Sequence, residues 1–158
     1  MDDPGRRSVV RSYLLRIADQ SNEAVVFEKR CYYTSLKRKF SRGDYVFFLM
    51  RREADSIIGY GVVDGVKELA DITDPEERDF CINNRWYTKV ELSEVYKFER
   101  HLPLRLVFPG LHKLGRALHG LELNEIEVRR IFDLEKICME DEELWRKYVE
   151  LGRRAKIL

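Results

Sequence analysis

Residues 29–35 bring cations, aromatic rings and hydroxyl groups together in one short segment. In chain order the segment consists of Lys29, Arg30, Cys31, Tyr32, Tyr33, Thr34 and Ser35. Cations bind phosphate groups and release counterions, and exposed rings stack on nucleobases at about 1–3 kcal/mol per base. Trp86 follows a polar segment and supplies a further ring. These residue types are typical of a nucleic-acid-binding site, although Tyr33 and Trp86 taken singly also suit a hydrophobic core.

The net charge is only +1, but the charges are segregated along the chain. Residues 29–52 contain eight basic residues and one acid, whereas residues 64–79 contain seven acids and two basic residues. Segregation of this kind can give a protein of nearly neutral total charge one positive face. The cations that we expect to contact phosphates are Arg30, Lys37, Arg38, Arg42, Arg51 and Arg52. Two alternatives stay open: a charged surface that is merely solvated, and a basic face that docks an acidic partner protein.

Cysteine usage and hydropathy favour a cytoplasmic protein. Cys31, Cys81 and Cys138 are odd in number and widely spaced, and they form no CxxC pair. We therefore expect reduced thiols, with neither a disulfide framework nor a zinc site. No stretch of about 18 apolar residues is present, and the first residues lack the apolar core of a signal peptide. We expect no metal, no cofactor and no membrane contact.

No motif in the sequence assigns a catalytic role. Residues 110–117 have the glycine spacing of a phosphate-binding loop, but Arg116 and Ala117 stand where that loop requires lysine and a hydroxyl residue. His112 and His119 are two helical turns apart, which is too far for a shared metal ion. The many carboxylates have no apolar surroundings that would separate the pKa values of a pair. We therefore predict a protein that binds its partner without catalysis.

Hydrophobic periodicity predicts strands in the first two-thirds of the chain. The predicted strands are residues 8–17, 24–27, 45–50, 56–63, 86–98 and 102–108. Residues 45–50 form a continuous apolar run, which is typical of a central strand buried on both faces. Gly59 and Gly61 are two residues apart, where missing side chains allow tight curvature or close approach of another backbone. Curvature of this kind closes a small barrel.

Capping residues and helical spacing predict helices between and after the strands. The predicted helices are residues 33–40, a short acidic helix that begins near Pro75, a helix capped by Asn124, and a last helix at about residues 140–154. The chain fits one domain spanning residues 1–158, and its last helix could lead into a further domain. The order of elements favours a mixed α+β fold, with a small curved β-barrel flanked by helices.

Several segments resemble a known family of domains. Residues 43–48 (GDYVFF) and 58–63 (IGYGVV) resemble the two central strands of EVE domains, which belong to the PUA-like superfamily. Related YTH domains share this core. Residues 86–92 and the approach to the helix after Asn124 resemble the later parts of the same domains. The resemblance spans about residues 12–134 and implies a PUA-like, EVE-like fold.

The resemblance also implies a site. In these families a small β-barrel holds a pocket for a modified base, which is N6-methyladenine in YTH domains and altered cytosine in some EVE-like domains. The pocket wall then falls on Tyr32, Tyr33, Thr34, Ser35, Leu49, Met50 and Trp86. The tryptophan typical after the first strand is absent, and Tyr32 or Tyr33 stands in its place. EVE-like domains also occur in McrB-type modification-dependent restriction proteins, where they bind methylated DNA.

We therefore predict a non-catalytic reader that flips a methylated adenine or cytosine into an aromatic pocket at the mouth of the barrel. The resemblance implies DNA as the preferred partner and implies that the chain serves as the recognition module of a restriction complex. The alternatives are a module that binds modified RNA and a protein–protein docking module.

Overall fold

The computed structural model describes residues 9–108 and 118–157, of which residues 152–157 are described by their backbone alone. The glycine-containing segment 110–117, with His112, lies outside the described residues. In chain order the elements are β1 (Ser12–Arg16), α1 (Gln20–Lys29), β2 (Cys31–Thr34), β3 (Tyr45–Arg51), β4 (Asp55–Glu68), a 3₁₀ turn (Leu69–Asp71), α2 (Pro75–Asn83), β5 (Thr88–Pro103), α3 (Leu104–Val107), β6 (Leu121–Leu123), α4 (Glu125–Glu140) and α5 (Glu142–Ile157).

These six strands form one sheet in the order β2-β5-β4-β3-β1-β6. β1 runs parallel to β3, and the other neighbouring pairs are antiparallel. The sheet curls into a half-barrel, with α1 on its inner side and α4 and α5 on its outer side. The predicted mixed α+β fold with a small curved sheet flanked by helices is therefore confirmed.

The central strand β3 separates two hydrophobic clusters. Val46, Phe48 and Met50 belong to the inner cluster, whereas Phe47 and Leu49 belong to the outer one. Successive side chains of a strand point to opposite faces, so both faces of β3 are apolar because both are covered. The sequence prediction of a doubly buried strand at residues 45–50 is confirmed.

β4 and β5 approach each other closely at Gly59 and Gly61, two of the three glycines of β4. A Cβ atom added to Gly59 would lie 2.3 Å from the carbonyl oxygen of Tyr96, and one added to Gly61 would lie 3.2 Å from the carbonyl oxygen of Glu94. The register between the two strands also shifts between Ile57 and Gly59. Glycine at position 59 therefore permits a close approach that a larger residue would block.

The short apolar run at residues 24–27, predicted as a strand, is instead part of α1. Asp19 begins this helix, because its side chain accepts a hydrogen bond from the Asn22 N–H at 2.9 Å. Arg30 ends it in the left-handed conformation, with φ of 56°. Capping at both ends favours a helix here in spite of the branched apolar residues between them.

The helix predicted at residues 33–40 is also wrong. Tyr33 and Thr34 are the last residues of β2 and pair with β5, and the chain then crosses the half-barrel without a regular element. Leu36 and Phe40 pack on the inner cluster during this crossing, so their spacing reflects burial at two separate points and not a helical face. The separate strand predicted at residues 102–108 is likewise absent, because these residues form the end of β5 and the single turn α3.

The remaining helices begin where their capping residues predict. The Asp74 side chain accepts a hydrogen bond from the Glu77 N–H at the start of α2, and Asn124 and Glu127 form a reciprocal capping box at the start of α4. The predicted last helix corresponds to α5. No helix within residues 9–108 and 118–157 combines the length and the apolar character needed to cross a membrane.

Candidate functional site

A cavity of about 90 Å³ lies at the seam of the half-barrel, where the edge strand β2 faces the end of β1 and the start of α1. Arg16 and Asn22 line one side of it, and Tyr32, Tyr33 and Trp86 line the other. Three of the residues predicted from the sequence for an aromatic pocket therefore meet at one place, although they come from β2 and from the turn before β5.

Tyr32 is a fixed part of the cavity wall. It is only 8% exposed, and its ring packs 6.1 Å from that of Phe48 in the inner cluster. Its hydroxyl donates a hydrogen bond of 2.5 Å to the carbonyl oxygen of Arg16. Burial raises the pKa of the Tyr32 hydroxyl above its usual value, so this group stays protonated and ties β2 to β1 across the seam.

Tyr33 and Trp86 form a stacked pair beside Tyr32. Their ring centroids are 5.8 Å apart and their planes differ by 9°. Phe80 of α2 packs edge-on against both rings, at 5.9 Å from Tyr33 and 5.4 Å from Trp86. The left-handed conformation of Arg85, with φ of 58°, turns the chain after α2 and brings Trp86 back toward β2. Both stacked rings are half-buried, which leaves part of their surface for a ligand.

The hydroxyl of Tyr33 is held by an ion pair. It donates a hydrogen bond to the Glu77 carboxylate, and the Lys89 ammonium donates to the same oxygen of Glu77 at 2.7 Å. Hydrogen bonds from Lys89 and Tyr33 lower the pKa of Glu77, while burial and the bond to Glu77 raise the pKa of Tyr33. Burial opposes the charged form of Lys89, but the bond to Glu77 prevails and raises its pKa. Each group therefore keeps one protonation state near neutral pH.

The polar side of the cavity depends on Arg16. Its guanidinium donates two hydrogen bonds of 3.2 Å to the two carboxylate oxygens of Asp55, and its backbone N–H donates to Nδ1 of His119 at 3.1 Å. Asn22 lies in the first turn of α1 and is half-buried. Its carboxamide has no hydrogen-bond partner among residues 9–108 and 118–151, and thus offers the cavity one donor group and one acceptor group.

Four residues predicted for the pocket wall lie outside the cavity lining. Thr34 is buried, and its Oγ1 accepts a hydrogen bond from the Leu36 N–H at 2.9 Å, while Ser35 is exposed to solvent. Leu49 is fully buried in the outer cluster, on the opposite face of the sheet from Tyr32. Met50 faces inward but packs within the inner cluster. Leu49 and Met50 lie on opposite faces of the sheet because successive side chains of β3 alternate.

The cations predicted to contact phosphates do not form one ring around the cavity. Arg51 and Arg52 lie near it. Arg51 is opposite Asp55 in the register of β3 and β4, and the Asp55 carboxylate binds Arg16, which lines the cavity. Arg51 is exposed, but Arg52 donates hydrogen bonds of 2.5 and 3.0 Å to the buried carboxylate of Glu23.

The other predicted cations lie farther along the sheet or at the end of α1. The guanidinium of Arg38 lies 5.8 Å from the centroid of the Tyr13 ring. Tyr13 precedes Arg16 by three residues in β1, so this ring is roughly 10 Å from Arg16 along the strand. Lys37 is exposed in the same crossing segment, and Arg42 donates to the carbonyl oxygen of Asp64 at 3.0 Å. Arg30 is exposed at the end of α1 and donates to the carbonyl oxygen of Ser93.

Sequence reasoning missed the polar half of the site. Arg16 and Asn22 line the cavity, and Glu77 and Lys89 hold Tyr33, but none of the four was predicted as a site residue. The capping pattern from Asp19 to Asn22 could have revealed the start of α1. No local pattern could have revealed that Arg16 and Asn22 face β2, since that contact depends on curling of the sheet.

Among residues 9–108 and 118–151, no group of three or more His, Cys, Asp and Glu side chains is placed to hold a metal ion. Cys31, Cys81 and Cys138 are all buried free thiols. Burial raises the pKa of each of the three thiols, so none of them has the reactive thiolate character of a nucleophile.

Comparisons with known proteins identify the fold. No family model and no curated protein matches the chain. The crystal structure of ASCH from Zymomonas mobilis is 12% identical in sequence, with a TM-score of 0.60 over 78% of this chain and 94% of the other. The Mmi1 YTH domain in complex with RNA is 16% identical, with a TM-score of 0.53 over 89% of this chain and 86% of the other.

A second YTH domain shows the same likeness. The YTH domain of the Zygosaccharomyces rouxii MRB1 protein, in complex with N6-methyladenosine RNA, is 10% identical, with a TM-score of 0.54 over 85% of this chain and 94% of the other. None of these likenesses supports the preference for DNA or the McrB-type setting that the family resemblance implied. Identities this low establish architecture alone, and the chain has the curled α+β fold that ASCH and YTH domains share.

Proposed function

We propose that this chain binds RNA and reads a modified base at the seam cavity without catalysing a reaction on it. The observation that carries the proposal is the meeting of two kinds of group at one place. The stacked rings of Tyr33 and Trp86 line the same cavity as Arg16 and as Asn22, whose carboxamide is unpaired. Aromatic surface on one side and hydrogen-bonding groups on the other are what recognition of an unstacked base requires.

The energetic terms favour binding of a base with an added methyl group. Taking a base out of its stack costs a few kcal/mol, and stacking on an aromatic side chain returns about 1–3 kcal/mol. A methyl group buried against Trp86 adds roughly 0.8 kcal/mol. Discrimination by the methyl alone is therefore modest, and Asn22 supplies the polar contact, because a carboxamide can pair with the donor and the acceptor on the edge of adenine.

RNA is the proposed partner because of the YTH neighbours. Two of them were crystallised with RNA, and in one the RNA contains N6-methyladenosine. The first candidate ligand for this protein is therefore N6-methyladenine in single-stranded RNA. The preference for DNA implied by the family resemblance has no such support, and the RNA alternative takes its place.

Binding without catalysis is proposed from the protonation states around the cavity. Glu77 stays ionised, while Tyr33 and Lys89 stay protonated, so none of the three exchanges a proton readily near neutral pH. A general acid or base works best with a pKa near the working pH. The cluster therefore suits the fixing of a ring better than the movement of protons.

The salt dependence of binding should be shallow. Arg52 is engaged by Glu23, and Lys37, Arg38 and Arg42 lie farther along the sheet. Two of the predicted cations, Arg30 and Arg51, therefore remain for the strand near the cavity. Each phosphate contact on a single strand contributes about −0.7 to the slope of log affinity against log salt concentration. We expect a slope of about −1.4.

The decisive experiment compares short single-stranded RNAs with and without one N6-methyladenine, and the matching DNAs, by fluorescence anisotropy. We expect the methylated RNA to bind most tightly and Trp86→Ala to weaken its binding by about tenfold or more, the equivalent of one lost stacking contact. Tyr87→Ala is the matched control, because Tyr87 is the next ring in the chain and is 54% exposed. Equal affinity for all four oligonucleotides, together with no effect of Trp86→Ala, would refute the proposal.

A further inference from the structure

The seam cavity is too small to admit a base as it stands. Its volume is about 90 Å³, whereas an apolar cavity that accepts benzene measures about 150 Å³. A base sandwiched between two rings also needs the ring planes about 7 Å apart, two contact distances of roughly 3.5 Å. Tyr33 and Trp86 have their centroids only 5.8 Å apart. One wall of the cavity must therefore move before a base can enter.

A second space adjoins the cavity. The cleft between α1 and α2 has a volume of about 610 Å³, and Lys29, Glu77, Phe80 and Lys89 are among the residues that line it. Three residues line both spaces, namely Val25, Cys31 and Tyr33. Val25 belongs to α1 and Cys31 is buried in β2, so both are fixed by packing. Tyr33 is the shared residue whose side chain is large, half-buried and held at its tip.

We propose that the Tyr33 side chain is a gate between the seam cavity and the α1–α2 cleft, and that Glu77, bound to Lys89, keeps this gate closed. When the hydroxyl leaves Glu77, the ring swings away from Trp86, uncovers one face of the indole and joins the two spaces. The uncovered indole face then accepts the base. The nature of the ligand rests on the proposed function, but the motion of Tyr33 does not.

The closed state is favoured by a hydrogen bond to a charged acceptor. Such a bond contributes enough that its loss shifts an equilibrium by about tenfold or more. A ligand that needs the open state binds with an apparent dissociation constant equal to its intrinsic value divided by the open fraction. Loosening the gate should therefore speed and strengthen binding, whereas loss of a residue that contacts the ligand or maintains the fold should weaken it.

The gate can be tested without any RNA. Cys31 is 4% exposed and lines both spaces beside Tyr33, so movement of Tyr33 should raise its rate of alkylation by iodoacetamide, while Cys138 is fully buried in the outer cluster and reports on global opening. Peptide mapping by mass spectrometry measures the two rates in one sample. We expect Tyr33→Phe, which keeps the ring and removes the hydroxyl, to raise the ratio of the Cys31 rate to the Cys138 rate by about tenfold. Tyr87→Phe should leave the ratio unchanged.

Glu77→Leu is a second variant, because it removes the acceptor and leaves Tyr33 intact, and it should change the ratio in the same direction. A ratio unchanged in both variants overturns the gate, and using a ratio removes the effect of any general loss of stability. The association rate of methylated RNA, measured by stopped-flow fluorescence, should rise in Tyr33→Phe. If wild-type protein binds none of the RNAs while the ratio rises in the two variants, the proposed function fails and the gate stands. If wild-type protein binds RNA and the ratio is unchanged in the variants, the gate alone fails.

Discussion

Gly59→Ala should be among the most damaging single-methyl additions to this fold. The new Cβ would lie 2.3 Å from the carbonyl oxygen of Tyr96 and 3.1 Å from the Cα of Lys97. Carbon and carbonyl oxygen meet normally at about 3.3–3.6 Å, so β4 and β5 would have to separate by roughly 1 Å at this point. The third near atom is the Cζ of the Phe27 side chain at 3.0 Å, but the nearest one belongs to the backbone, which cannot turn aside as a side chain could.

Overpacking of a tight site costs about 1–3 kcal/mol, and we expect Gly59→Ala to reach the upper end because the closest contact is with a backbone atom that cannot yield. For a chain of this length, 3 kcal/mol corresponds to a decrease in Tm of roughly 6–12 °C. Urea denaturation followed by circular dichroism measures the change as a lower midpoint with an unchanged slope.

Gly65→Ala is the matched control in the same strand. A Cβ at Gly65 meets no atom within 4 Å, so this variant should be as stable as the wild type or gain up to about 1 kcal/mol from a less flexible unfolded chain. The reasoning is refuted if the unfolding free energies of the two variants agree to within about 0.5 kcal/mol.

Two further predictions concern the contacts that hold the cavity. Glu23→Ala removes the buried carboxylate that binds Arg52 and should destabilise the protein by about 2 kcal/mol in thermal unfolding. Glu28→Ala, on the exposed face of α1, should change the stability little. Equal effects of the two substitutions would contradict this role of Glu23. Burial lowers the pKa of His119 below 6.5, and the charge of Arg16 adds to this effect. As the pH drops through 6.5 the unfolded chain therefore takes up the proton before the folded protein does, and the free energy of unfolding should fall. His119→Gln should reduce that dependence, leaving the share of His101, whose pKa burial also lowers; an unchanged pH profile would count against the bond between His119 and Arg16.

The sequence predicted most reliably those elements whose local pattern and tertiary environment agree. Residues 45–50 are apolar throughout because both faces of β3 are covered, and Asn124 begins a helix because its cap needs no distant partner. The helix predicted at residues 33–40 was wrong because apolar side chains three and four residues apart can also be buried separately along an irregular segment, as Leu36 and Phe40 are. Periodicity alone does not distinguish the two cases.

The candidate site was predictable only in part, for the same reason. Tyr32 and Tyr33 stood out because aromatic and basic residues are adjacent in the chain, and they do line the cavity. Leu49 was misplaced because the strand end was treated as one surface, although neighbouring residues face opposite sides of the sheet. Arg16 and Asn22 reach the cavity only through curling of the sheet, which no short pattern encodes.

The lengths of the two outermost strands have a consequence for behaviour at high concentration. β2 and β6 end the sheet with four and three residues, so little unpaired backbone is available for another molecule to extend the sheet. Residues 45–50 have neither charge nor proline and would form intermolecular β-structure readily if freed, but β1 and β4 flank them. Detachment of β1 with β6 is thus the event that would start aggregation on heating.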